Sequence, residues 1–305
     1  MQLLKKGESM ERRKQETDEQ EPFKGDSRLE QLHRVMLMML KDFSAICEKE
    51  GLAWFGAFGT ALGALRHKGF IPWDDDIDIC MPRADLDKLT AVVMHDWSGK
   101  YEMINAQIDP HYPMFTYRMM LRGTEFRDSA LATMEFDSGI FLDLFALDNL
   151  ADDEHAYKRQ AWRAWLNNKL AIAKLVKNPY IAGHDLKAKI LRAGTNGARL
   201  LLNMPGLRSV DFNKRALIES TRYNAGPDTE RLGYLCDTSR FSSSYNRSDL
   251  FPVRMVPFED MEIPIAKETE KLLGEMYGDF MTPPPADQRR EHYPDILDFG
   301  DYGDM

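Results

Sequence analysis

The chain has 305 residues and a formal net charge of −9, with 49 acidic side chains against 40 basic ones. This length suits one large domain or two small ones, and a hydrophobic fraction of 43% provides a substantial core. An acidic chain without a basic stripe is a poor partner for a phosphate backbone, so the composition argues against nucleic-acid binding and favours a small nucleotide-linked substrate.

The N-terminal part predicts an arm followed by a helix. Residues 1–25 are rich in charged side chains and glutamine with few large apolar ones, which predicts a disordered or loosely helical arm. Apolar residues then recur at helical spacing from Leu29 to Cys47, and Gly51 ends this predicted helix. Residues 52–58 are apolar and predict a buried strand.

A glycine–threonine turn follows that strand. Thr60 is the predicted N-cap of a helix that runs to His67, and Gly59 before it lets the backbone approach a ligand closely. A helix N-terminus offers backbone N–H groups and a positive dipole end to an anion. Arg66 could hold a phosphate through two parallel hydrogen bonds. Taken singly, Gly59 is also compatible with a simple tight turn and Arg66 with a surface ion pair.

An acidic run comes next and predicts a metal site. Asp74, Asp75 and Asp76 are consecutive. Residues 76–81 form an alternating polar and apolar run, so Asp76 and Asp78 share one face of a strand. Like charges side by side are tolerated when a divalent cation neutralises them, and carboxylate oxygens suit Mg²⁺ or Mn²⁺. The alternative is a solvated acidic loop, but the bulky neighbours of the run argue against it. The spacing also lacks the glycine and glutamate of an EF-hand loop.

A third carboxylate is expected from a later strand. Residues 140–147 alternate so that Asp143 lies between Phe141 and Phe145 on one face, where a carboxylate needs a cation or hydrogen-bond donors. Asp143 is therefore the predicted third site carboxylate, with Asp148 as the next candidate; a hydrogen-bonded structural aspartate is the alternative. The other predicted elements are helices at 83–95, 153–177, 184–203, 209–224 and 267–277, strands at 101–105, 114–122 and 124–128, a hairpin at 252–265, and a tail from Pro283 that wraps over the surface.

These motifs resemble the LicD family, which also includes fukutin and the fukutin-related protein. The pattern Gly-Thr-x-Leu-Gly-x-x-Arg-x-x-Gly-Phe-Ile-Pro-Trp-Asp-Asp-Asp-Ile-Asp is intact from Gly59 to Asp78. Segments 141–148, 256–259 and 277–284 are similar to the family as well, and Ala146 stands where the family usually has proline. The resemblance covers roughly residues 30–295.

The resemblance implies a fold and a domain organisation. The expected fold class is α+β, with a nucleotidyltransferase-like mixed β-sheet core flanked by helices and a helical C-terminal region. We expect the catalytic core at 26–150, helical and C-terminal elements of the same domain at 151–295, and a short tail at 296–305.

The resemblance also implies a reaction: transfer of a phosphoalcohol group, phosphocholine-like or ribitol-phosphate-like, from a CDP-activated donor to the hydroxyl of a glycan or lipid-linked glycan. Asp76 and Asp78 would hold one or two Mg²⁺ (or Mn²⁺) ions, and Asp143 would complete the metal site or accept the proton of the acceptor hydroxyl. The residues expected to bind the substrates are Gly59, Thr60, Arg66, Trp73, Asp279 and His292. Trp73 would stack on a base or a cationic head group, or pack beneath the loop.

Two other classes of protein stay open. A glycosyltransferase that uses Asp-x-Asp to bind a nucleotide-sugar is the competing enzyme, and the glycine–threonine turn argues against it. A non-catalytic relative that binds nucleotide or metal is the other. The three cysteines have wide spacing, and no apolar run is long enough to span a bilayer. We therefore expect a cytoplasmic protein without a transmembrane segment, either free or at the inner face of the membrane.

Overall fold

The computed structural model describes residues 27–127, 138–176, 186–237, 239–285, 289 and 294–304. The predicted arm at 1–25 and His292 lie outside the described residues. The helices are α1 (Ser27–Glu50), α2 (Phe58–His67), α3 (Arg83–Asp96), α4 (Glu154–Leu175), α5 (Leu186–Leu202), α6 (Phe212–Ser220), α7 (Arg247–Leu250) and α8 (Thr269–Tyr277). None of these helices combines the length and the hydropathy needed to cross a membrane.

The strands form a mixed sheet. They are β1 (Phe55–Gly56), β2 (Asp78–Pro82), β3 (Tyr101–Ile104), β4 (Tyr117–Leu121), β5 (Glu125–Arg127), β6 (Phe141–Asn149), β7 (Arg231–Gly233), β8 (Ser244–Asn246), β9 (Arg254–Phe258), β10 (Met261–Ile265) and β11 (Ile296–Asp298). The main sheet has the order β3-β4-β6-β2-β1-β10-β9, with β7 joined to β6 and β8 to β7. The pairs β2–β6 and β1–β10 are parallel and the other pairs are antiparallel. The α+β class with a mixed sheet flanked by helices is confirmed.

The core lies on both faces of the central strands because their side chains alternate. Ile77, Ile79 and Met81 are fully buried against α1 and α3, whereas Cys80 packs in a separate apolar cluster on the opposite face. This alternation follows from the period of two that the sequence predicts for residues 76–81. Asp78 and Asp143 lie on the same face of the sheet. They come together because β2 and β6 are neighbouring strands.

Several predicted elements agree with the structure and others do not. The hairpin at 252–265 and the helix that ends at Gly278, where φ is +68°, are confirmed. The strand predicted at 52–58 is wrong in length, since only Phe55 and Gly56 pair with neighbouring strands. β7, β8, α7 and β11 were not predicted, because each has only three or four residues and shows no periodicity of its own. β11 lies in the predicted surface tail, yet it pairs with β5 in a second, two-stranded sheet.

Candidate active site at the start of two parallel strands

The turn between β1 and α2 forms one wall of the site. Ala57 has extended backbone angles and is the N-cap, so the prediction of Thr60 as the N-cap is wrong. Phe58 follows in the left-handed region with φ of +45°, a costly conformation that occurs mainly where the surrounding structure enforces it. The Thr60 hydroxyl accepts a hydrogen bond from the Asp78 backbone N–H at 2.8 Å, so it links the helix to β2 instead of capping the helix.

Three carboxylates converge beside this turn. Asp76, Asp78 and Asp143 each offer an oxygen atom, and these atoms lie within 4.8 Å of one another. Asp74, Asp75 and Asp76 meet the same limit as a second group. The convergence arises because Asp78 on β2 and Asp143 on β6 are directly paired in the parallel register, and the Asp143 N–H donates to the Ile77 carbonyl at 2.9 Å. We call Asp74, Asp76, Asp78 and Asp143 the acidic cluster.

The helix N-terminus contacts the acidic cluster directly. The Gly59 backbone N–H hydrogen bonds to the Asp78 carboxylate, and a Cβ atom at Gly59 would lie 2.8 Å from Oδ2 of Asp74. Glycine therefore lets the carboxylate of Asp74 approach the helix closely, and any larger residue would displace it. The amide that the sequence predicts as a phosphate ligand is engaged by Asp78, where the positive end of the α2 dipole offsets part of the negative charge.

Burial and repulsion by neighbouring carboxylates raise the pKa values of two members of the acidic cluster. Desolvation, followed by the charge of Asp76, raises the pKa of Asp74 to about 8. Desolvation raises the pKa of Asp78 well above its usual value, and the charges of Asp76, Asp143 and Asp74 add to it. Such a cluster is costly when fully ionised, and either protons or a cation relieves the cost. Converging carboxylate oxygens are the donor set that Mg²⁺ and Mn²⁺ prefer, so these residues fit a divalent metal.

Arg118 is a site residue that the sequence did not predict. Its Nε donates to Oδ1 of Asp143 at 2.9 Å from the paired position on β4, and its guanidinium lies 3.6 Å from the centre of the Phe141 ring. Asp143 thus has a cationic hydrogen-bond donor, and its place between two aromatic residues predicts a cation or a donor of this kind. The sequence does show an arginine inside the otherwise apolar segment 117–121. That segment was ambiguous as a strand, so the direction of the arginine side chain could not be predicted.

Asp148 lies away from the acidic cluster. It is 1% exposed and forms a two-bond ion pair with Nε and Nη2 of Arg83 at 2.9 and 2.8 Å, and Asn224 donates to it as well. It is five residues beyond Asp143 on β6, which places it roughly 16 Å further along the strand and on the opposite face. Its role as an alternative site carboxylate is therefore corrected to that of a buried ion-pair partner.

Two arginine side chains lie beside Trp73, next to the acidic cluster. The guanidinium groups of Arg289 and Arg66 lie 4.3 and 5.8 Å from the centre of its ring. Arg66 also donates to the Phe280 carbonyl at 2.7 Å. Burial lowers the pKa of Arg66, and the negative charge of Asp74 opposes this effect. Arg66 and Trp73 thus come together beside the acidic cluster. The predicted substrate residue Asp279 is exposed on the turn before Phe280.

Two residues from distant elements hold the loop that carries the acidic run. His33 on α1 makes a 2.7 Å hydrogen bond through Nε2 to the Asp74 carbonyl, and its ring stacks on Phe70 at 4.1 Å. Oε1 of Glu259, at the tip of the β9–β10 hairpin, accepts a hydrogen bond from the Phe70 N–H at 2.9 Å. A Cβ atom at Gly69 would collide with the Glu259 carboxylate. This contact gives a physical role to segment 256–259, which the sequence singled out only by resemblance.

Two cavities adjoin the face of the sheet that bears Asp78 and Asp143. One, of about 530 Å³, is lined by Phe58 and Phe145 together with residues of β8 and α8. The other, of about 790 Å³, lies at the far end of β2 and β6, next to Pro82 and Asn149. The first lies nearer the acidic cluster, since its lining residue Phe58 precedes Gly59 and its lining residue Phe145 lies two positions beyond Asp143 on the same face of β6.

The region of the site is similar to known proteins. Residues 51–149 match the family described as LicD/FKTN/FKRP, nucleotidyltransferase domain. The chain is 25% identical over 268 residues to the lipopolysaccharide cholinephosphotransferase LicD of Haemophilus influenzae, which covers 85% of this chain and 93% of that protein. Shorter similarities, 38% identity over 50 residues or 16% of this chain, relate it to uncharacterised proteins of Rickettsia prowazekii and Rickettsia typhi, of which they cover 19% and 16%. The matched region contains the glycine–threonine turn and the entire acidic cluster, so residues 51–149 are similar to the LicD nucleotidyltransferase domain.

Proposed function

We propose that this chain is a metal-dependent phosphotransferase that moves a phosphoalcohol group from a CDP-linked donor to a hydroxyl of a glycan or glycolipid. The observation that carries the proposal is the convergence of Asp76, Asp78 and Asp143 within 4.8 Å inside the region that matches the LicD family. The similarity to a lipopolysaccharide cholinephosphotransferase supports the same class of reaction.

The reaction requires charge neutralisation and alignment. A hydroxyl oxygen of the acceptor forms a bond to the phosphorus of the phosphoalcohol group, the bond from that phosphorus to the CMP oxygen breaks, and CMP leaves with the bonding electrons. The hydroxyl proton must pass to a base. Asp76, Asp78 and Asp143 are the residues that would hold a divalent cation, which, when bound, neutralises the donor phosphate oxygens.

The residues of the chain supply the orientation. The Gly59 N–H and the Thr60 hydroxyl fix the side chain and the backbone of Asp78, and Arg118 fixes Asp143 through Oδ1. Arg66 lies within the electrostatic reach of Asp74, where it can contact a donor phosphate. Asp143 acts either as a metal ligand or as the base that accepts the proton of the acceptor hydroxyl. These two roles predict different effects of its substitution.

A thermal-shift comparison of nucleotide conjugates tests the proposal. CDP-linked donors should raise the melting temperature of the full chain in Mg²⁺ and lose that effect in EDTA, because ligand binding to the native state stabilises it by mass action. UDP-sugars and GDP-sugars serve as matched comparisons at the same concentration. Preferential stabilisation by a UDP-sugar would favour the glycosyltransferase alternative, and equal stabilisation in EDTA would place the nucleotide away from the acidic cluster.

A further inference from the structure

An exposed apolar surface lies at the end of α5 and in the turns that follow it. Four large apolar side chains there are between 39% and 73% exposed, namely Leu200, Leu201, Met204 and Leu207. We call these four residues the apolar patch. Leu202, within the same run, is buried in a small cluster with Ala171 and Phe212. Single exposed apolar residues are common on soluble proteins, but neighbouring ones mark interaction sites.

The apolar patch is contiguous because hydrogen-bonded turns continue beyond α5. The Met204 N–H donates to the Leu201 carbonyl at 3.1 Å, and the Leu207 N–H donates to the Met204 carbonyl at 3.2 Å. Residues three apart in such turns lie on the same side of the chain. Nζ of Lys174 on α4 donates to two carbonyls of the following loop, both at 2.8 Å, and so attaches that loop to α4. The backbone therefore holds the apolar side chains together in their exposed position.

The segment that carries the apolar patch is basic, although the protein is acidic. The whole chain has a net charge of −9, yet residues 186–210 contain no acidic residue and five basic ones, namely Lys187, Lys189, Arg192, Arg199 and Arg208. Arg208 is exposed next to Leu207. Arg215 on α6 is exposed as well, and its guanidinium lies 6.0 Å from the centre of the Phe212 ring.

The charges of these two exposed arginines are available to an anionic partner. Neither Arg208 nor Arg215 forms an ion pair with an acidic residue within the described part of the chain. The surface thus combines exposed apolar side chains with positive charge at their border.

A membrane surface that contains anionic lipids complements both properties. Apolar side chains gain free energy when they enter the boundary between head groups and acyl chains, and basic side chains are attracted to anionic head groups. A second copy of the chain suits the surface less, because a two-fold dimer through this face would bring the same arginines close together. Nucleic acid suits it less, because leucine and methionine side chains neither stack like aromatic rings nor hydrogen bond to bases.

We propose that the apolar patch and the arginines beside it bind the surface of a bilayer that contains anionic lipids. The apolar patch enters the boundary between head groups and acyl chains, and Arg208 and Arg215 face the lipid phosphates. This inference goes beyond the proposed phosphotransferase function and does not rest on it, because neither the acidic cluster nor a donor takes part in the contact.

Vesicle co-sedimentation of the full chain tests this inference. The protein should bind vesicles of phosphatidylcholine mixed with phosphatidylglycerol at least about tenfold more tightly than vesicles of phosphatidylcholine alone. Added salt should weaken this binding, since it screens the charges. Arg208→Gln with Arg215→Gln should remove most of the preference for anionic vesicles. Leu200→Gln with Met204→Gln should weaken binding to the anionic vesicles by about tenfold and leave its salt dependence unchanged.

Matched controls change the same kinds of residue on other surfaces. Met94→Gln with Met255→Gln replaces two methionines that are 51% and 56% exposed on α3 and β9. Lys88→Gln with Lys267→Gln removes two exposed positive charges, whose side chains are 51% and 48% exposed. Neither control should change vesicle binding. The melting temperatures of all variants should stay close to that of the wild type, because every substituted side chain is exposed, so lost binding is not caused by unfolding.

Several results would overturn the inference. Absence of binding to anionic vesicles, or equal binding to neutral and anionic ones, would exclude an anionic bilayer as the partner. Vesicle binding that is the same in the patch variants and in their controls would place the membrane contact on another surface. Dissociation of a dimer by Leu200→Gln with Met204→Gln in sedimentation equilibrium, without an effect on vesicle binding, would assign the apolar patch to a second copy of the chain. None of these results affects the phosphotransferase proposal, because donor binding is measured without vesicles.

Discussion

Asp78 and Asp143 are direct register partners on the parallel strands β2 and β6, although 64 positions between them carry the chain through α3 and three further strands. Parallel pairing aligns the starts of the two strands, so the carboxylates meet at one edge of the sheet. Antiparallel β4 adds Arg118 opposite Asp143 from the other side. A carboxylate pair and its counter-cation are thus set by the backbone hydrogen bonds of three adjacent strands.

This pairing predicts that Asp78→Asn and Asp143→Asn weaken metal binding. Either change removes a charged oxygen ligand from the acidic cluster, so turnover should fall by roughly 10²–10⁴-fold. If Asp143 acts mainly as the base, Asp143→Asn should slow the chemical step and leave donor affinity nearly unchanged. Donor titration with Mg²⁺, combined with single-turnover rates, distinguishes the two roles. Near wild-type activity of Asp78→Asn would refute the metal assignment.

Asp148→Asn is the matched control on the same strand. Arg83 and Asp148 form a pair in which the side chains are only 11% and 1% exposed, so breaking it should lower the free energy of unfolding by about 3–5 kcal/mol. Mg²⁺ affinity should be unchanged because Asp148 lies far from the acidic cluster. Asp143→Asn should destabilise less, since loss of the Arg118 partner is offset by relief of repulsion from Asp78. Chemical denaturation measures the free energy of unfolding, and calorimetry measures the Mg²⁺ affinity. Weaker Mg²⁺ binding in Asp148→Asn would contradict the placement of Asp148 outside the metal site.

The raised pKa of Asp74 predicts a pH dependence of stability. A carboxyl group whose pKa is higher in the folded than in the unfolded protein stabilises the fold while protonated, and this contribution is lost as pH rises from about 4 to about 8. In EDTA the melting temperature should therefore decline over this range. Asp74→Asn should flatten the decline, and saturating Mg²⁺ should flatten it too, by neutralising the acidic cluster. A wild-type profile in EDTA that rises between pH 5 and 8 would disagree with the sign of the effect.

The contact between Glu259 and Phe70 predicts a positioning role for the β9–β10 hairpin. Glu259→Ala removes the acceptor of the Phe70 N–H and frees the loop that carries the acidic run, so a higher Mg²⁺ concentration should be needed for half-maximal turnover. Glu259→Gln keeps an acceptor oxygen in place and should restore most of the wild-type Mg²⁺ dependence. A purely structural role would lower the melting temperature of Glu259→Ala without moving its Mg²⁺ dependence.

Gly59→Ala tests the close approach of the helix to the acidic cluster. The new Cβ atom would lie 2.8 Å from Oδ2 of Asp74, so the carboxylate must move. We expect weaker Mg²⁺ binding at nearly unchanged stability, because only one side chain has to shift. Gly99→Ala is the control, since nothing lies within 4 Å of its Cβ position. Equal Mg²⁺ affinity in the two variants would show that the position of Asp74 does not matter for the metal.

The sequence predicted the parts of the site that depend on local patterns. The alternation of residues 76–81 correctly put Ile77, Ile79 and Met81 on the face opposite Asp78, and the position of Asp143 between aromatic residues correctly indicated a nearby cation or hydrogen-bond donor. The contacts of Arg118, His33 and Glu259 could not be predicted, because each depends on which strands or helices become neighbours. The N-cap was misplaced for a related reason: the Thr60 hydroxyl has a tertiary partner, the Asp78 N–H, that competes with the local cap.

The place of β10 in the sheet affects how the chain can fold while it is being synthesised. β10 pairs in parallel with β1, and β11 pairs with β5, while Arg28 at the start of α1 donates to the Leu297 carbonyl. All carboxylates of the acidic cluster have left the ribosome once Asp143 has emerged, yet one neighbour of β1 has not been translated. On the nascent chain, the edge of β1 that β10 covers therefore stays unpaired until β10 emerges.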